Sequence, residues 1–148
     1  MSAAKVLTKP RIVFLAWAIA ELIGWLTTQY IFRDPRANWV WLILSVLAFI
    51  PMVMYMPWKQ PKMRAILLLW LITVAFGMIV SFLAFSVSWI SPVAPYLGAF
   101  WLLLMGVAFL LNAIWWSPPQ CIAGGILQLV AGGLVLLLPQ TLQREQYL

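Results

Sequence analysis

A single carboxyl group, Glu21, stands inside the apolar run "AIAELIGWLTT" (residues 18–28), and no other charge lies between Arg11 and Arg33. At about 1.5 Å per residue it is about 14 Å into a helix, near the middle of a ~30 Å hydrocarbon layer. An ionised carboxylate there costs from ~3 to above ~10 kcal/mol. The protonated carboxyl is the cheaper state, and its OH and C=O still need partners, because lipid offers none. Such a group can take up a proton or a cation, or hydrogen-bond another helix. Helical spacing puts Trp17, Ala18, Gly24, Trp25 and Thr28 on its face. Trp17 and Trp25 offer π faces to a cation. Thr28 offers a hydroxyl, and Gly24 lets another backbone come close.

The polar partner expected on another helix is Gln128. It lies about 12 Å into its own run, at a matching depth. Around it "AGG" at 123–125 recurs at 131–133. Gly125, Gln128 and Gly132 share one face; Gly124, Gln128 and Ala131 share another; Gly133, which ends the second repeat, is counted with the packing glycines. Stripes of small residues mark close helix packing in lipid. The expectation is a Glu21–Gln128 hydrogen bond, direct or through one water, averaging ~0.6 and reaching about 2 kcal/mol. The competing expectation is that Glu21 fixes helix register or meets another subunit.

Other chemistry is thin. There is no histidine, the usual ligand for haem, copper and catalytic zinc and the usual general base. Cys121 is the only cysteine, so no intrachain disulfide or thiolate cluster forms, and it is expected to pack as a small apolar residue. Neither a metal nor a cofactor is expected, nor an enzyme, since no positioned acid–base set is visible. Ser45, Thr73, Ser81, Ser86 and Ser88 are expected to bond their own helix carbonyls. Pro51 should kink its helix and free the carbonyl of Leu47, for which Asn112 or Thr73 could supply a donor.

The elements that must hold these residues are set by composition. Of 148 residues, 66% are hydrophobic and 8% charged, against about 45–50% and about 25% in soluble domains. Lipid is therefore the expected solvent. The fold class expected is an all-α integral membrane protein: one domain, 1–148, bundling five transmembrane helices at 12–32, 39–56, 65–90, 96–116 and 120–138, with four spans as the alternative count. The breaks "RDPRAN", "PWKQPKMR", "SPVAP" and "SPPQ" are short and rich in proline, so neighbours should run up and down antiparallel. Lys5, Lys9, Arg11, Lys59, Lys62 and Arg64 fall on one side, and Arg33, Arg36 and Arg144 on the other. That bias predicts a cytoplasmic N-terminus and an outside C-terminus in the cell membrane. The net charge of +6 collects on no face, so no nucleic acid is expected. The basic start with its small residues could pass for a signal peptide, but the apolar run continues for a full span. Most of the ten tryptophans, including Trp39, Trp41, Trp58, Trp89, Trp115 and Trp116, fall at or near span ends, as in an interfacial belt.

The stretch "AELIGWLTT" resembles the first helix of small multidrug-resistance transporters, in which a membrane-embedded glutamate binds protons and cationic drugs in turn. The likeness covers about ten residues. Five spans in place of four, and the absence of a comparable stretch later, make it convergence on one arrangement: a carboxyl beside small and aromatic residues. The five-helix count and tryptophan richness also resemble the translocator-protein family, whose ligand-pocket motifs do not appear here in order.

Two functions follow as expectations. One is a non-catalytic accessory or assembly subunit, or scaffold, partnered by the bilayer and by other membrane subunits or its own copies. The alternative is a small proton-coupled transporter or ligand-binding bundle with Glu21 as the proton or cation site.

Overall fold

An apolar segment in lipid must satisfy its backbone internally, and helices do so within one segment. The computed structural model describes residues 3–31, 35–55, 57, 59–115 and 118–137. In chain order they form α1 (Ala3–Tyr30), α2 (Ala37–Tyr55), α3 (Pro61–Ser86), a short 3-10 helix (Ser91–Tyr96), α4 (Leu97–Asn112) and α5 (Pro118–Leu137). No strand occurs among the described residues. Four segments there are long and apolar enough to cross a membrane: Ala37–Tyr55, Pro61–Ser86, Ser91–Asn112 and Pro119–Leu137. Within α1 the corresponding apolar stretch is Leu15–Thr28. The span ends expected at Phe32, Met56, Trp116 and Leu138, the bases Arg33 and Arg144, and Trp58 lie outside the described residues.

Boundaries differ from the apolar runs where proline chemistry intervenes. α3 begins at Pro61 and α5 at Pro118, not 65 and 120. The first helical position tolerates a proline, whose missing N–H would have no intrahelical partner there. The "SPVAP" break is itself helical, a 3-10 turn with a proline near its start, so α3 ends at Ser86 and not at 90. α1 starts at Ala3, well before its apolar run. α2 continues through Pro51 to Tyr55.

The chain divides into two compact units, Met1–Leu67 and Leu68–Leu148. In the first, α2 packs antiparallel on α1: Trp41, early in α2, meets Thr28, late in α1, and Phe49 meets Trp17. In the second, α4 runs antiparallel to α3, with Trp101 on Ser81 and Phe109 on Trp70. There α5 runs antiparallel to α4, with Gly125 against Gly106 and Gly132 against Ala99. Buried residues are mostly small, such as Ala20, Ala48, Ala99 and Ala108, while Leu15, Ile43, Ile72, Val107 and Leu127 are exposed. An apolar exterior over a small-residue interior suits lipid as the solvent.

Candidate functional site

Glu21 is exposed on α1, among the exposed side chains of Ile19, Leu22 and Ile23. Its expected companions turn mostly toward α2. Trp17 sets its edge against Phe49, with ring centroids 5.1 Å apart at 83°. Trp25 meets Trp41 at 6.4 Å and 89° but stays 47% exposed. Gly24 lies under the Trp41 ring, where a Cβ would come within 2.5 Å of Cη2. The Thr28 hydroxyl donates to the Gly24 carbonyl at 2.8 Å and accepts from the Trp41 indole N–H at 2.9 Å. Thr28 is thus engaged inside the hairpin.

A second cluster of the same kind sits on α3 and α4. The Trp101 indole N–H donates to Ser81 Oγ at 3.0 Å, and the Ser81 hydroxyl donates to the Gly77 carbonyl at 2.9 Å. Gly77 lies under the Trp101 ring, a Cβ there meeting Cζ3 at 2.7 Å. Belt position alone would put Trp41 and Trp101 at the water interface. Their N–H groups are satisfied by protein hydroxyls instead. Sequence reading missed Gly77, Ser81 and Trp101 as a set. The signal was there: "GWLTT" and "GMIVS" each put a hydroxyl one turn after a glycine, and a tryptophan stands early in each next run, at Trp41 and Trp101.

Gln128 lies in the second unit, and Glu21 in the first. The Gly125–Gly132 face beside Gln128 meets α4. A Cβ on Gly125 would stand 2.9 Å from the Gly106 carbonyl, and one on Gly132 3.2 Å from that of Ala99. Gln128 Oε1 is buried and accepts no hydrogen bond among the described residues. Gly124 makes only an ordinary contact, 3.7 Å from its would-be Cβ to Phe109, and Gly133 faces open space.

The remaining polar groups are used locally. Thr73 donates to the Leu69 carbonyl at 2.7 Å, one turn back, as expected of a hydroxyl in such a helix. Asn112 points its Nδ2 at Cys121 Sγ, 3.6 Å away, and leaves Oδ1 buried without a donor among the described residues. A buried acceptor left unmet costs about 1–3 kcal/mol. Asn112→Leu, of similar shape, should therefore leave the thermal unfolding midpoint unchanged or raise it. A fall of several degrees would show that the amide is needed.

Comparison of the chain with protein-family models, with curated proteins and with solved structures finds no match.

Proposed function

We propose that this chain is a non-catalytic multi-pass protein of the cell membrane, an accessory or assembly subunit. In this reading it crosses the bilayer five times, up and down, with the N-terminus cytoplasmic and the C-terminus outside. The observation that carries the reading is the exposure of Glu21 on an apolar stretch of α1. A carboxyl on a lipid-facing surface costs several kcal/mol, protonated or not, unless polar groups meet it. A neighbouring protein helix with a hydrogen-bonding group supplies such a partner. The half-open ring of Trp25, one turn along, supports the alternative of a cation site in a small transporter.

A lipid-soluble carbodiimide separates the two, with Glu21→Gln as the unreactive control. The subunit reading expects Glu21 to be shielded in native membranes and to label once detergent separates the complex. Prompt labelling in native membranes, slowed by an organic cation, would instead establish the transporter.

A further inference from the structure

We propose that the first four helices are two copies of one helical hairpin, each closed by a tryptophan–glycine–hydroxyl clasp, and that Glu21 is surplus to that hairpin's fold. A single shift in numbering carries Trp17, Gly24 and Thr28 of α1 onto Trp70, Gly77 and Ser81 of α3. A second single shift carries Trp41 and Phe49 of α2 onto Trp101 and Phe109 of α4. The shifts differ because α3 runs further past Ser81 than α1 does past Thr28, and because the second connection is longer and holds the 3-10 turn.

In so apolar a chain, coincidence of residue type means little. Coincidence of bonding means more. In both hairpins the indole N–H donates to a hydroxyl at 2.9 or 3.0 Å. In both, that hydroxyl donates to the glycine carbonyl one turn back. In both, the Cη2–Cζ3–Cζ2 edge of the ring fills the place of the glycine's missing side chain. In both, a second tryptophan meets a phenylalanine edge-on at 5.1 Å, at 83° and 79°. Burial follows the same shifts: Val13 with Ile66, Ala20 with Thr73 and Ala48 with Ala108 are buried alike. Lys9 and Arg11 also fall on Lys62 and Arg64 under the first shift.

The first shift sets Glu21 on Val74, which is buried at 5% exposure. One copy closes its clasp with valine at this position, so the clasp does not need a carboxyl. That argues against Glu21 as a device for fixing α1 on α2, and leaves it a role outside the hairpin. The repeat stands whether or not the assembly reading holds.

The test uses the full chain in mild detergent. Thr28→Val and Ser81→Ala should each lower the thermal midpoint by a similar amount, about 2–4 °C for one buried hydrogen bond. Their double variant should lose the sum, as sites with no shared partner do. Glu21→Val should keep the wild-type midpoint, whereas Val74→Glu should lower it more than either clasp variant. A silent clasp variant beside a damaging one would overturn the repeat. A loss in Glu21→Val equal to that of Thr28→Val would overturn the surplus role of Glu21. Neither result depends on carbodiimide shielding, so failure here is distinct from failure of the assembly reading.

Discussion

Gly125→Leu should be among the most damaging substitutions in the protein, lowering its stability by about 3 kcal/mol. The reason is what the new side chain meets. A Cβ at Gly125 lies 2.9 Å from the Gly106 carbonyl oxygen and 2.8 Å from Leu110 Cγ. A leucine tip can rotate away, but a backbone carbonyl cannot move without its helix. α4 and α5 would have to separate, losing the close approach on which helix association in lipid depends. The seam repeats one heptad along, where a Cβ at Gly132 lies 3.2 Å from the Ala99 carbonyl. Gly132→Leu should follow with a similar loss. Gly133→Leu is the control, because nothing lies within 4 Å of its Cβ position. Thermal unfolding of the three variants in one detergent gives the comparison. Equal losses at Gly125 and Gly133 would show that glycine itself, and not the seam, is what matters.

Gly77→Leu should cost a similar amount by another route. The Trp101 ring occupies the space a side chain would take, with Cζ3 and Cζ2 at 2.7 and 2.8 Å from the Cβ position. Displacing the ring breaks the indole bond to Ser81, worth about 1 kcal/mol, and adds overpacking of about 1–3 kcal/mol. Gly24→Leu should do the same to Trp41 and Thr28, since the rings lie over the two glycines alike. A drop in midpoint with a changed tryptophan emission is the expected pair of readings. An unchanged emission would mean that the ring never sat on the glycine.

Much of the fold was legible, because apolar runs and their proline breaks obey one constraint that reads directly from residue type. α2 matches its run closely for that reason, and α4 starts with its run but ends at Asn112, short of the expected 116. The helix starts at Pro61 and Pro118 were less legible, since a proline that ends one helix also suits the first position of the next. The site was harder. Placing Gly125 and Gly132 on one face is simple periodicity, but naming the helix they meet is not. The stripe looks equally ready for any neighbour, and it is α4's own Ala99 and Gly106 that complete it. Thr28 shows the same limit. Spacing shows that its hydroxyl lies on the Glu21 face, and only the position of Trp41 shows that the hydroxyl is already occupied. Asn112 and Thr73 were the two donors on offer for the carbonyl freed by Pro51; the Asn112 amide N–H turns to Cys121 and the Thr73 hydroxyl to Leu69.

The small-residue seam on α4 has a consequence for biosynthesis. At the positions where α4 carries Ala99 and Gly106, the corresponding helix of the first hairpin carries Trp39 and Val46, both exposed and both too large for such contact. On α4 these two small positions receive α5. As the polypeptide is made, the first pair can close once α2 has followed α1. The notch on α4 stays uncovered until α5 follows and fills it.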